Sequence, residues 1–249
     1  MDHMPVNLAY RVYQLLWEAL DWVYPPICGG CGSPGTRWCK NCTQNTREII
    51  PPICPICGNP NINNQPCKRC EVLRPRYTSL RSYTVFNGSI REAIHRLKYK
   101  RDIGLGEALS RPMITSLQKL NWSLNIITSV PLGLVRLNER GYNQANLLAR
   151  PIALYLNIPF SSKVLFRTRE TRTQVGLTVT ERQENMEGAF IARHELVYGK
   201  NVLVVDDVAT SGATLNACAK ALMDEGASNV YGFSLARAIF SPNGDIDLS

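Results

Sequence analysis

Asp206 and Asp207 close an unbroken apolar run, VLVV at residues 202–205, and VATSGAT follows them at once. Such a run is the pattern of a central parallel strand covered on both faces. In open α/β sheets ligands bind just beyond the carboxyl ends of the strands, where the two carboxylates fall. Behind them residues 215–225 carry a helical pattern, ended by Gly226. A helix N-terminus offers free N–H groups and the positive end of the helix dipole, so it favours an anion, above all a phosphate. Thr210, Ser211 and Thr214 add hydroxyl donors, and Gly212 lets the backbone approach an anion with no Cβ in the way. The pattern GxxxxGK[ST] does not occur here, so this is not a nucleoside-triphosphate loop. The acids then have a separate task, accepting hydrogen bonds from the vicinal hydroxyls of a sugar whose phosphate sits in the loop. An acidic pair alone reads as a solvated strand end, and TSGAT alone as a helix cap. Strand, acid pair, hydroxyl–glycine loop and helix in this order point to a phosphorylated sugar.

A second chemistry is written into the cysteines. Eight of the nine form four CxxC pairs: Cys28/Cys31, Cys39/Cys42, Cys54/Cys57 and Cys67/Cys70. CGGCGSPGTRWCKNC is echoed by CPICGNPNINNQPCKRC, so the unit is repeated. Four thiolates complete a tetrahedral site and leave no open position for catalysis, so the spacing predicts two structural zinc ribbons, each with four cysteine ligands. Disulfides are the competing reading and would need an oxidising compartment. The repeat favours sequential pairing of the knuckles, with crossed pairing as the alternative. This Pro/Gly-rich segment has too few apolar residues to fold without its metal. The ninth cysteine, Cys218, falls in the helix after the loop and reads as a small buried hydrophobe.

The elements that must position these groups follow from periodicity. Strand patterns cover residues 81–86, 125–130, 201–205 and 229–235; helical patterns cover 90–99, 105–120, 144–156 and 215–225. Pro112 is expected to interrupt the second of these helices, and Pro151 to kink the third or start a new turn. Strands alternating with helices imply an open, mainly parallel sheet flanked by helices. Three regions result: an amphipathic helix within 1–26, a double zinc ribbon over 27–72, and an α/β domain over 77–249. The first helix, over residues 7–24, sets Leu8, Val12, Leu15, Leu16, Ala19 and Leu20 along one stripe, the pattern of a packing helix.

With 249 residues the chain can bury one sizeable core plus a small accessory module. Hydrophobic residues at 45% and charged residues at 19% exclude wholesale disorder. No apolar stretch is long enough to span a bilayer and no small-residue cleavage site follows the first helix, so the expectation is a cytoplasmic protein without membrane insertion. The net charge of +8 suits an anionic partner, either nucleic acid or a polyphosphate. Basic residues gather at 95–101 (HRLKYKR) and 167–172 (RTRETR). The three histidines, His3, His95 and His194, fit no triad or metal spacing.

VLVVDDVATSGAT resembles the phosphoribosyl diphosphate (PRPP) binding motif of type I phosphoribosyltransferases. The chain as a whole resembles the ComF family, also described as ComFC- or GntX-like. PPICGGCGSPG, FNGSIREAIHRLKYKRD, VPLGLVRLNERGYNQANLLAR and RTRETRTQVGLTVTERQENMEGAF carry the rest of the likeness. The resemblance implies a type I phosphoribosyltransferase-like sheet with an N-terminal zinc-ribbon module. It implies that Asp206 and Asp207 hold the ribose 2′- and 3′-hydroxyls. Ala209, Thr210, Ser211, Gly212, Ala213 and Thr214 would then hold the 5′-phosphate. Val130, Pro131, Leu132 and Gly133 would form the diphosphate loop, with Gly133 departing from the bulkier residue, often His, of many relatives. Magnesium would arrive with PRPP, bound mainly by diphosphate and ribose oxygens. Arg136 and Arg140, with Asn143 and Gln144, form RxxxRGxNQ and read either as diphosphate or substrate contacts or as a solvated helix face. Lys98 and Lys100 read as diphosphate or nucleic-acid contacts, or equally as surface charge. Gln174, Arg182 and Asn185 belong to a loop expected to close over the ligand.

The implied function is phosphoribosyl transfer to an acceptor that the sequence does not name, linked to DNA uptake in natural competence. Single-stranded DNA and a helicase-like competence protein are the implied partners. The competing reading is a non-catalytic nucleic-acid-binding accessory protein that uses PRPP as a regulator or not at all. No Cys follows Met1, so a glutamine-hydrolysing activity is not expected.

Overall fold

A computed structural model describes residues 7–61, 63–169, 181, 185–240 and 246–247. The strands in chain order are β1 (Ser79–Val85), β2 (Ile126–Ser129), β3 (Leu165–Arg167), β4 (Phe190–Ala192), β5 (Asn201–Ala209), β6 (Asn229–Arg237), β7 (Ile239–Phe240) and β8 (Ile246–Asp247). The helices are α1 (Leu8–Val23), α2 (Lys40–Gln44), α3 (Lys68–Val72), α4 (Gly88–Tyr99), α5 (Leu105–Gln118), α6 (Leu134–Arg140), α7 (Gln144–Leu156), α8 (His194–Val197) and α9 (Ala213–Asp224). The central sheet has the order β1-β6-β5-β2 and every pairing in it is parallel. β3 and β4 form a separate antiparallel pair, as do β7 and β8.

β5 is central because nothing in it resists burial on both sides. Val202, Leu203, Val204 and Val205 are fully buried, and they alternate between two apolar clusters. On one face Leu203 and Val205 join α4, α5 and α7 through Leu97, Leu109, Leu148 and Ile152. On the other, Val202 and Val204 meet Leu215, Cys218 and Leu222 of α9. The sheet edges are covered. Residues 47–49, between the two cysteine-rich repeats, run antiparallel to β1, with Ile49 N–H donating to Tyr83 O and Val85 N–H to Arg47 O, both at 3.0 Å. At the other edge Ile127 of β2 exchanges bonds with Pro159 O and Ser161 N–H. Neither edge is left as a template for another chain.

Three sequence expectations are corrected here. α5 runs through Pro112 and α7 through Pro151 without a break. Each proline forfeits one ladder bond, but the buried faces of the two helices pack together over the sheet and keep both continuous. The third correction concerns α1, whose aliphatic stripe faces solvent: Leu8 is 73% exposed, and Val12, Leu15, Leu16 and Leu20 are exposed as well. Its packing face is aromatic instead. Tyr10 is buried with its ring 5.1 Å from that of Tyr155, and the Arg37 guanidinium lies 5.0 Å over Trp17. Tyr10, Tyr13 and Trp17 recur at helical spacing on the opposite side and bring more area per residue than the leucines. Among the described residues no helix is long and apolar enough to cross a membrane.

Candidate functional site

The chain leaves β2 toward α6 and α7 on one face of the sheet, and leaves β5 toward α9 on the other. β2 and β5 are neighbours, and the reversal of direction sets their carboxyl ends at the place where open α/β sheets form a ligand crevice. Val130, Pro131, Leu132 and Gly133 form one wall. Asn143 fixes that wall: its Nδ2 donates to Val130 O at 2.9 Å, while its Oδ1 caps α7 by accepting from Ala145 N–H at 2.9 Å. The other wall is the loop from Thr210 to Gly212, which leads into Ala213 and Thr214 of α9. Gly212 has φ +78°, a left-handed conformation that disfavours a side chain, and a Cβ there would come within 3.2 Å of Tyr77 Oη. The left-handed φ is what calls for glycine here, and the nearby hydroxyl leaves a side chain little slack.

Between the walls stand Asp206 and Asp207, which β5 carries further than the sequence suggested, since the strand continues to Ala209. Successive strand residues point to opposite faces, so the pair is divided. Asp207 is 3% exposed and lies with Leu203 and Val205 on the α4/α7 side. There it forms an ion pair with the Lys98 ammonium and accepts from Gln144 Nε2 at 2.8 Å. Asp206 is half-buried, and its Oδ1 accepts the Asp207 N–H at 2.9 Å. Burial, and then the charge of Asp207, hold the Asp206 carboxyl well above the usual carboxylate range. Burial pushes Asp207 the same way, but the Lys98 ammonium and the Gln144 amide outweigh it and hold Asp207 below its ordinary value. Two adjacent carboxyls with pKa values driven apart give one fixed anion beside one group free to change its protonation.

Arg140 completes the network. Its Nη1 donates to Gln144 Oε1, which turns the amide nitrogen of Gln144 toward Asp207, and its guanidinium stacks 5.5 Å over the Tyr99 ring. Arg136 and Lys100 are exposed. Of the closing-loop residues, Gln174 and Arg182 lie outside the described residues. The structure brings in Lys98, which the sequence left between ligand contact and surface charge. A signal was present: Ile90, Ile94 and Lys98 follow at helical spacing, placing the lysine on the buried stripe of α4.

The eight knuckle cysteines form two clusters of sequential pairs, Cys28/Cys31/Cys39/Cys42 and Cys54/Cys57/Cys67/Cys70, with all sulfurs of a cluster within 4.8 Å of one another. Sγ–Sγ separations of 3.6 Å (Cys28–Cys42 and Cys31–Cys39) and 3.7 Å (Cys57–Cys67) are far too long for a disulfide. They fit the edge of a tetrahedron with Zn–S bonds of about 2.3 Å. N–H groups of Cys39 and Cys67 point at the sulfurs of Cys28 and Cys54, each at 3.4 Å. The second cluster has a further mark of an anionic metal centre. Arg237 is 1% exposed, its Nε and Nη1 have no hydrogen-bond partner among the described residues, and Cys57 and Cys67 act on it electrostatically. A buried guanidinium needs a counter-charge, and a zinc tetrathiolate supplies two.

The double zinc ribbon domain family matches residues 19–71 and the phosphoribosyl transferase domain family matches residues 134–237. A double zinc ribbon set on a phosphoribosyltransferase-type sheet defines the class. DNA utilization protein YhgH of Shigella flexneri is 33% identical over 225 residues, covering 86% of this chain and 98% of that protein. Competence protein F of Haemophilus influenzae is 31% identical over 70% of this chain and 79% of its own length. Competence protein ComFC of Bacillus subtilis is 29% identical over 82% of this chain and 86% of its own. The chain belongs to the ComF family.

Proposed function

We propose that this protein binds PRPP, together with magnesium, in the β2/β5 crevice and transfers its phosphoribosyl group to an acceptor in the service of DNA utilisation or competence. The observation that carries this reading is the convergence, at the ends of two adjacent parallel strands, of a glycine-turned hydroxyl loop, a divided carboxyl pair and a second backbone loop. In this reading the loop from Ala209 to Thr214 holds the 5′-phosphate by main-chain N–H groups and hydroxyls. Asp206 and Asp207 accept from the ribose diol. The backbone of residues 130–133 faces the diphosphate, with Lys98 and Arg140 close enough in the network to offset its charge. In the transfer itself the C1–oxygen bond to diphosphate lengthens and breaks, its electron pair leaves with the diphosphate, and the acceptor's lone pair forms the new bond at C1. Magnesium on the diphosphate oxygens would supply further charge neutralisation for that departure. The donor chemistry here fits such an ion, since the half-buried Asp206 carboxyl would offer it an oxygen once ionised.

Titration calorimetry with PRPP and magnesium tests the binding. Wild type is expected to bind, and the double variant Asp206→Asn/Asp207→Asn to lose at least about a hundredfold in affinity, since two charge-assisted hydrogen bonds to the diol go. Equal binding by the two proteins would sink the assignment. Diphosphate release on adding candidate acceptors then separates an enzyme from a PRPP sensor.

A nucleic-acid role is favoured by one further observation. Tyr99, 67% exposed with Arg140 stacked on it, adjoins exposed Lys100 and Arg101 in sequence, and exposed Arg136 lies one helical turn before Arg140. An aromatic face among cations is what unpaired bases and their phosphates take. Binding of single-stranded oligonucleotide should weaken steeply with salt, and Tyr99→Ala should lower affinity by roughly five- to a hundredfold, the worth of one stacked base. A salt-independent signal, or an unaffected variant, would remove this role.

A further inference from the structure

The second zinc ribbon does more than stiffen the N-terminal half, because it reaches the phosphate loop. Arg69 sits between Cys67 and Cys70, in the knuckle CKRC, and its Nη2 donates to the carbonyl oxygen of Ser211 across 142 positions of sequence. The contact is not accidental surface proximity. Ser211 is buried, Arg69 is half-buried, and the position a Gly212 Cβ would take lies 3.2 Å from Tyr77 Oη, 3.3 Å from Leu80 and 3.9 Å from Arg69 Nη2. The ribbon and the loop share one apolar cluster, in which Cys54, Ile56, Cys57 and Cys70 pack with Tyr77, Leu80, Ala213 and Leu215. Leu80 N–H donates to Ile56 O at 2.8 Å, and Arg76 N–H to Asn216 Oδ1 on α9 at 2.6 Å.

The chemistry of one peptide unit gives this contact its consequence. In a trans peptide the C=O of residue 211 and the N–H of residue 212 point in opposite directions. A guanidinium that holds the Ser211 carbonyl toward the ribbon therefore holds the Gly212 N–H away from it, toward the open side of the loop. Gly212, with no Cβ and a left-handed φ, is the residue about which that peptide would turn over most easily. A charged donor on the carbonyl also polarises the peptide and strengthens its N–H as a donor.

We infer that Arg69 is a positioning residue that locks the 211–212 peptide with its N–H facing the phosphate position, so that the second four-cysteine cluster is a structural part of the anion site. The inference rests on the phosphate-loop reading above and names the residue that sets the loop's geometry. Arg69 itself is carried by the knuckle, where Cys70 N–H and Glu71 N–H both bond to Cys67 O. Metal at that knuckle would hold the guanidinium in place without touching the ligand. The first ribbon makes no comparable contact among the described residues: Arg37 there pairs with Asp21 and Asp102.

The test compares Arg69→Ala, Arg69→Lys and Lys68→Ala, the last an exposed neighbour in the same knuckle. Three things are measured on the whole protein: zinc per chain, amide exchange of the 210–214 segment without ligand, and calorimetric binding of ribose 5-phosphate. Arg69→Ala is expected to keep its zinc, to exchange faster at the Gly212 amide, and to bind ribose 5-phosphate roughly ten- to a hundredfold more weakly, the worth of one hydrogen bond to a charged group. Arg69→Lys, which keeps a cationic donor, should recover part of both effects, and Lys68→Ala should match wild type. Unchanged exchange and affinity in Arg69→Ala would overturn the lock. Loss of zinc from Arg69→Ala would also overturn it, because the residue would then be holding the knuckle rather than the loop. If wild type binds no ribose 5-phosphate, the phosphate-loop reading falls, and the exchange comparison still decides whether Arg69 holds the peptide.

Discussion

Replacing Cys57 by serine is expected to destabilise this protein by about 3–5 kcal/mol, the cost of leaving a buried charge without its partner, and to release one of two zinc ions. The reason lies less in the knuckle than in Arg237, a fully buried guanidinium on β6 with two nitrogens that lack hydrogen-bond partners among the described residues. Four thiolates around Zn2+ carry a net charge of −2, and in the low dielectric beneath the ribbon that charge is what makes Arg237 tolerable. In Cys57→Ser the metal loses a ligand, and Cys67 and Cys70, both held above the usual thiol range, do not restore that charge. The guanidinium then stands buried beside Tyr77 without that counter-charge. Cys31→Ser in the first ribbon should be milder, because Cys31 is exposed and Arg37, in the same ribbon, has carboxylate partners for both Nη atoms, with only its Nε lacking a hydrogen-bond partner among the described residues. Thermal unfolding and metal content of the two variants check this directly. A double variant, Cys57→Ser/Arg237→Met, separates the causes: removing the stranded charge should restore part of the loss, a coupling a double-mutant cycle reads. Equal losses in Cys31→Ser and Cys57→Ser, with no recovery in the double variant, would show that Arg237 has no stake in the metal.

Much of this was legible in the chain because the strongest signals are local. The apolar run before Asp206 could be nothing but a buried strand, and the repeated knuckle spacing grouped the cysteines as the structure does. The failures have physical causes too. The stripe on α1 was read from its leucines, whereas the aromatic residues at i, i+3 and i+7 bury more area and took the inside. Pro112 was read as an interruption and Pro151 as a kink or the start of a new turn, but one lost ladder bond is small beside the burial of Leu109, Met113, Leu148 and Ile152, and both helices continue. The contacts that shape the site join residues tens of positions apart. Lys98 with Asp207, Gln144 with Asp207 and Arg69 with Ser211 span 109, 63 and 142 positions. Periodicity places each residue on a face of its own element and is silent on what that face meets. Arg237 gave no signal at all, lying at the end of an apolar strand whose other members are ordinary core residues.

Asp206→Asn and Asp207→Asn are expected to weaken PRPP binding together and yet to move stability in opposite directions. Asp206 has a folded-state pKa raised well above its ordinary 3.8, by burial first and the charge of Asp207 second. Ionising it in the folded protein therefore costs stability. That cost is absent below 3.8, grows as pH rises toward the folded value, and is fully present above it. The asparagine removes the charge, so at neutral pH Asp206→Asn should be the more stable protein, with a gain that vanishes in acid. Asp207 is the reverse. Its folded pKa is held below 3.8 because Lys98 and Gln144 outweigh the effect of burial. Its contribution is therefore full above 3.8 and is lost as pH falls through the folded value. Asp207→Asn forfeits that contribution, leaves a partly buried ammonium with no counter-charge and should cost about 1–3 kcal/mol at neutral pH. Urea unfolding of both variants and wild type at neutral pH and again below pH 3.8 reads the signs. Should both variants destabilise alike at neutral pH, with no pH dependence to tell them apart, the two carboxyls would be equivalent strand-end groups. The division of labour between a fixed anion and a protonatable neighbour would then be wrong. Should the opposite signs emerge, Asp206 is carried at a cost to folding, and a carboxyl kept at the mouth of the crevice against stability is what a sugar-binding role requires.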